Sequence, residues 1–175
     1  MDDEWEEFKK KYTHRLDSIK PTLKITIYGS YYPEEDLQLL EDLKKALVND
    51  GYSNTVLVRD RKTSADDPLE ISQECMLFSD INLFVFTRTG KRYGVIDELS
   101  FITSDVRMID KIEFSMVFDQ KLNDRSSIPD LSSSRVRRYG VQVRTFRSVE
   151  KLKNTIQLDV YWLMRKFTRQ RYGLQ

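Results

Sequence analysis

A chain of 175 residues fits one domain. Hydrophobic residues make up 39%, enough for a core, and charged residues 33%, enough for a well-solvated surface. Lys plus Arg (29) nearly cancel Asp plus Glu (28), so overall charge gives no case for binding nucleic acid or a membrane surface.

Residues 4–19 carry Trp5, Phe8, Tyr12, Leu16 and Ile19 at three- and four-residue spacing, which predicts an N-terminal helix within 1–20 that Pro21 ends. Leu23 to Tyr28 is a β-branched and aromatic run, the first strand, closed by Gly29 and Ser30. Helical spacing returns through Leu37, Leu40, Leu43 and Leu47 and stops at Asn49-Asp50-Gly51. Thr55 to Val58 is a second strand. Asp67-Pro68-Leu69-Glu70 has the form of a helix start, with Asp67 as cap and Pro68 in the first turn. Ile71, Cys75 and Phe78 continue that helix on one apolar face. Ile81 to Phe86 is almost wholly apolar, as a strand buried on both faces should be. Val95, Leu99, Ile102 and Val106 mark a further helix, Ile112 to Phe118 a fourth strand and Val141 to Phe146 a fifth. Ser148 caps a long C-terminal helix over 148–171, with Val149, Leu152, Ile156, Val160, Leu163 and Phe167 as its apolar stripe.

Strands alternating with helices predict an α/β fold, and right-handed crossovers make it a three-layer Rossmann-like sandwich. Five strands suit the flavodoxin-like order 2-1-3-4-5, a mostly parallel sheet with the third strand central. The N-terminal helix and the long C-terminal helix are additions to that pattern, all within one domain over 1–175. Between the last two strands runs a polar loop, 119–140, rich in serine, at the carboxyl edge of the sheet where such folds bind ligands.

Several chemistries lack their residues. There is no Gly-x-x-x-x-Gly-Lys-Ser/Thr loop and no Gly-x-Gly-x-x-Gly after the first strand, which argues against P-loop ATPases and NAD dehydrogenases. One histidine, His14, and one cysteine, Cys75, lie far apart, so neither a metal site nor a bound cofactor is expected. Cys75 falls on the apolar stripe of its helix and His14 on a surface. A lone cysteine makes no internal disulfide, which suits a reducing compartment. The acidic start Met-Asp-Asp-Glu-Trp-Glu-Glu does not look like a secretory signal, and no apolar run approaches the roughly 20 residues of a membrane span. The expectation is a cytoplasmic protein with no membrane contact.

The segment from Thr87 to Leu99 carries the functional signal. Gly90 and Gly94 allow close approach of backbone to a ligand, and Arg88, Lys91 and Arg92 add charge beside a helix N-terminus suited to an anion. Glu98 follows in the first turns of that helix, one residue from its apolar stripe. A carboxylate there can accept hydrogen bonds from ribose hydroxyls, or act as a nucleophile or ion-pair stabiliser at a glycosidic carbon. The helix dipole favours its ionised form. Asp60, Asp66 and Asp97 are candidates for a second acid. Gly29, Ser30 and Tyr31 (or Tyr32) extend the expected cleft from the first loop, with a tyrosine to stack on a base.

The run Phe78-Ser79-Asp80-Ile81-Asn82-Leu83-Phe84-Val85-Phe86, followed by Gly94-x-x-x-Glu98, resembles the nucleoside 2-deoxyribosyltransferase family. There an aspartate precedes an apolar strand, a Gly-Thr-x-x-Glu turn enters the next helix, and its glutamate is the nucleophile. Ile27-Tyr28-Gly29-Ser30 is similar to that family's opening loop. The same turn is found in the cytokinin-activating phosphoribohydrolases called Lonely Guy proteins. Val95-Ile96-Asp97-Glu98-Leu99 is also similar to the Trp-Cys-x-x-Glu-Leu segment of Toll/interleukin-1 receptor domains, whose glutamate cleaves NAD in the enzymatic members. The resemblance covers about residues 23–106. It departs at Val95, where the family has threonine, at Arg92, where it has aspartate, and at Val95-Ile96 in place of Trp-Cys.

The resemblance implies a protein that binds a nucleoside or nucleotide and cleaves or transfers its N-glycosidic bond, with Glu98 as the key carboxylate. The contrasting expectation is a non-catalytic nucleotide-sensing or protein-interaction domain using the same cleft. Basic positions on the last helix, such as Lys151, Lys153, Arg165 and Lys166, read as a solvated face and not as a nucleic-acid surface. Tyr161 and Trp162 beside its stripe suggest a homo-oligomer.

Overall fold

The computed structural model describes residues 7, 13–61, 67–89, 93–105, 107–108, 112–121 and 142–172. Its sheet has five strands: β1 (Ile25–Tyr28), β2 (Thr55–Leu57), β3 (Ile81–Phe86), β4 (Phe114–Asp119) and β5 (Gln142–Phe146). They lie in the order β2-β1-β3-β4-β5, and all four neighbouring pairs are parallel. The central place of β3 explains its composition, since every one of its residues is buried. The doubly wound sandwich expected from the alternating pattern is the fold observed.

Four helices connect or follow the strands: α1 (Glu34–Asn49), α2 (Pro68–Phe78), α3 (Tyr93–Thr103) and α4 (Val149–Tyr172). Residues 13–19 are also helical and run into a 3₁₀ turn at Lys20–Thr22 that holds Pro21. The rest of the N-terminal stretch expected to be helical lies outside the described residues, Glu7 excepted. The caps foreseen for α2 and α4 are present. Asp67 Oδ1 accepts from the backbone N–H of Leu69 at 2.8 Å and of Glu70 at 3.2 Å, and Ser148 Oγ accepts from that of Lys151 at 3.3 Å.

Alternation along each strand sends side chains to two separate cores. On one face Ile25, Ile27, Leu83, Val85 and Val117 pack against Leu40, Leu43 and Leu47 of α1 and Leu152, Ile156, Val160 and Leu163 of α4. On the other face Tyr28, Phe84, Phe86, Phe114 and Phe118 meet Cys75 and Met76 of α2 and Val95, Leu99 and Ile102 of α3. Aromatic rings dominate this second core, with Tyr28 stacked on Phe84 at 4.6 Å and Phe86 on Phe118 at 4.7 Å.

Some boundaries and faces differ from the sequence expectation. Val58 leaves β2 to begin a 3₁₀ turn (Val58–Asp60), because Asp60 Oδ2 accepts from the Leu57 N–H and bends the chain. The buried face of α2 is Ser72, Cys75 and Met76, which leaves Phe78, at the last helical residue, 65% exposed. Val149 likewise stands outside the stripe of α4, exposed in its first turn. Val106 lies beyond the end of α3 and outside the described residues. The 119–140 loop begins with Asp119 as the last residue of β4 and a turn at 120–121; from 122 it lies outside the described residues. Among the described residues no helix is long and apolar enough to cross a membrane.

Candidate functional site

Glu98 sits six residues into α3, on the side that meets α2. Ser72 Oγ donates to Glu98 Oε1 at 2.5 Å, joining the two helices through side chains. Burial pushes the Glu98 carboxyl up to about 7; the Ser72 hydroxyl works against that rise and the neighbouring Asp97 carboxylate adds to it. The ionised form was expected to prevail because of the helix dipole. Removal from water outweighs that dipole, whose effect on an exposed group is only about 0.3–1 kcal/mol. Near neutral pH the carboxyl therefore holds and releases a proton readily, as a general acid–base or a nucleophile requires.

A cavity of about 410 Å³ opens over this carboxyl, lined by Tyr31, Val58, Arg59, Pro68, Leu69, Ile71, Ser72, Asp97 and Glu98. Its walls come from the loop after β1, the 3₁₀ turn after β2, the first turns of α2 and the first half of α3. Apolar side chains and a few convergent polar groups are the usual make-up of a small-molecule site. Tyr31 and Arg59 belong together. The Tyr31 Oη accepts the Arg59 backbone N–H at 3.2 Å, and the guanidinium lies 5.7 Å from the ring centroid. Burial raises the Tyr31 phenol to about 12, so it stays neutral. Arg59 also pairs with Glu41 and lies 4.0 Å from Asp60, so its charge is largely answered by protein groups.

Of the residues singled out in sequence, Glu98, Tyr31 and Asp97 converge here. Gly29 and Ser30 do not line the cavity. A Cβ at Gly29 would stand 2.7 Å from Leu40 Cδ2, so this glycine serves the packing of α1 on the sheet. Ser30 Oγ accepts the Tyr32 N–H at 3.2 Å and donates to the Tyr32 carbonyl at 2.5 Å, which commits it to the turn. Arg88 is exposed and also outside the lining. Gly94 is the second residue of α3, and Gly90, Lys91 and Arg92 lie outside the described residues.

Among the candidate second acids Asp97 is the one at the cavity; Asp60 instead accepts from Lys44 at 2.8 Å. Burial works to raise the Asp60 carboxyl, but Lys44 and the Leu57 N–H outweigh it and lower it. Asp66 is outside the described residues. Among the described residues no three His, Cys, Asp or Glu side chains converge as a metal site would need.

The cleft expected between the exits of β1 and β3 is instead bridged by Asp36. Its carboxylate, in the first turn of α1, accepts from Thr87 Oγ1 at 2.5 Å and from Thr89 Oγ1 at 3.2 Å. The cavity accordingly stands to one side, toward β2 and α2. Sequence reasoning missed Ser72, Arg59 and the apolar wall from Val58, Pro68, Leu69 and Ile71. The signal for Ser72 was available: with Cys75 and Met76 it shares three- and four-residue spacing, a buried helical face with a hydroxyl in it.

The fold and site define a doubly wound α/β protein with a buried, protonatable glutamate on the wall of a cavity. No protein-family model and no curated protein matches the chain.

Proposed function

We propose that this protein binds a nucleoside or nucleotide in the Glu98 cavity and cleaves or transfers its N-glycosidic bond. One observation carries the reading: a carboxyl held near neutrality by burial, on the wall of a cavity large enough for a base and sugar. Apolar surface from Val58, Pro68, Leu69 and Ile71 suits a flat base, and Tyr31 offers a ring for it to stack on.

In this reading the bond from the anomeric carbon to the base nitrogen breaks. The base leaves with the electron pair and takes up a proton, while the Glu98 carboxylate stabilises the cationic sugar carbon or bonds to it. Water completes hydrolysis by adding hydroxide to that carbon and releasing a proton; a second base completes transfer. Asp97 lines the same cavity.

The test is to incubate the protein with nucleosides, nucleoside monophosphates and NAD and to follow free base by chromatography, with Glu98→Ala as control. Release that disappears in the variant supports the enzyme. Binding without release, equal in both proteins, would instead make this a nucleotide-sensing module.

We also propose that the chain self-associates through α4, where Leu158, Tyr161 and Trp162 are exposed on one side and Arg165 lies over both rings at 5.7 and 5.2 Å. Sedimentation should give a dimer that Trp162→Glu dissociates; a monomer at micromolar concentration overturns it.

A further inference from the structure

We propose that Ser72 is the positioning residue of Glu98: its hydroxyl pins Oε1 and leaves Oε2 as the oxygen presented to a ligand. This rests on the reading of Glu98 as the reacting carboxyl, and it deepens that reading.

The first ground is what helical hydroxyls do elsewhere in this chain. Thr103, Thr168 and Ser79, at or near helix ends, turn back to the carbonyl four residues earlier, at 3.1, 2.8 and 2.7 Å. Ser18 and Ser104 reach the carbonyl three residues earlier. That local bond is the usual refuge of a helical hydroxyl. Ser72 is 4% exposed in the second turn of α2, yet its hydroxyl bonds to Glu98, 26 residues away on another helix.

The second ground is chemical. A hydroxyl both donates and accepts. It donates to Glu98 when the carboxyl is ionised, the stronger of the two bonds, and accepts from it when the carboxyl is protonated, so one partner serves both states while favouring the charged one. A backbone N–H or an arginine can donate in either state but cannot accept the proton-bearing oxygen's O–H, and either one favours the ionised state. Around Glu98 the other ionisable groups among the described residues include Asp97 on α3, Arg59 across the cavity, Cys75 on α2, Tyr28 at the end of β1 and Tyr31 beyond it. Among the described residues none of these hydrogen-bonds the carboxyl, whereas Ser72 does.

The third ground is position. Ser72 lies one turn past the Asp67 cap and Pro68, so the hydroxyl is carried on a capped helix and not on a loop.

The experiment is a ¹³C NMR titration of the Glu98 side-chain carboxyl in the full-length protein, assigned with Glu98→Gln. Removing a hydrogen bond to the charged form should raise the titration midpoint in Ser72→Ala by about one pH unit. Ser72→Thr, which keeps the hydroxyl, should restore the parent midpoint. If base release is observed, its pH profile should move with the titration, with the loss in kcat and not in KM. A midpoint unchanged in Ser72→Ala overturns the proposal even where Glu98→Ala abolishes release. A midpoint that moves in a protein releasing no base upholds the Ser72–Glu98 link and removes the enzymatic reading, so the two failures are separable.

Discussion

Asp36 Oδ2 accepts the hydroxyl of Thr87 at 2.5 Å, a bond between the first turn of α1 and the residue that follows β3. Both residues are buried, at 6% exposure each. The point where chain direction reverses in the strand order lies between β1 and β3, and in open α/β sheets that is the usual place for a ligand. Here a protein carboxylate spans it.

Asp36→Ala should therefore lower stability by roughly 1.5–3 kcal/mol, the range for a hydrogen bond to a charged group. Asp36→Asn, which keeps one acceptor, should lose less. Chemical denaturation checks both; equal and negligible losses would mean the bond contributes nothing.

Glu98 makes a pH-dependent contribution whose sign follows from its raised pKa. Between about 4.5 and about 7 the folded chain holds a proton there that the unfolded chain has released. Stability consequently falls as pH rises through that window. Glu98→Gln stays neutral throughout, so it should match the parent near pH 4.5 and exceed it above pH 7, on the order of 3–4 kcal/mol at ~1.4 kcal/mol per pH unit. Thermal unfolding at several pH values would show whether the gap opens upward as stated.

Asp159 on α4 is fully buried and pairs with Arg144 of β5 at 2.5 Å, with the buried Ser115 hydroxyl of β4 beside it. Burial keeps this carboxyl above its ordinary range in spite of the arginine. Arg144→Ala should cost about 3 kcal/mol, the low end for breaking a buried pair, because the guanidinium is itself partly exposed. The loss should shrink as pH is lowered and Asp159 takes up a proton. Asp159→Asn in the same background should recover part of it. Urea titrations of the single and double variants test this.

Gly29→Ala should destabilise by roughly 1–3 kcal/mol through the clash with Leu40. Adding Leu40→Ala should cost less than the sum of the two single changes, since the smaller side chain admits the new methyl. Strict additivity in a double-mutant cycle would count against the packing account. Base release should survive in Gly29→Ala, because Gly29 lies outside the cavity lining.

The alternation of short apolar strands with 3.6-period helices was enough to place all five strands, the parallel order and the central β3. Those features depend on neighbours within one or two turns and on the general rule of right-handed crossovers, so they are written locally. Asp67 and Ser148 were legible as caps for the same reason. Phe78 was misassigned because periodicity marks a face but not where a helix ends.

Among the described residues that line the cavity, Glu98, Tyr31 and Asp97 were legible in the sequence. That Glu98 keeps its proton near neutrality depends on burial against α2, and its partner Ser72 lies 26 residues away. Asp36 meets Thr87 across 51 residues. Gly29 leaves room for Leu40 of the next helix, a contact that local sequence does not announce. Backbone periodicity is set by each residue's near neighbours. Desolvation, side-chain pairing and the walls of a cavity are set by which elements the crossovers bring together, and the tertiary structure alone decides that.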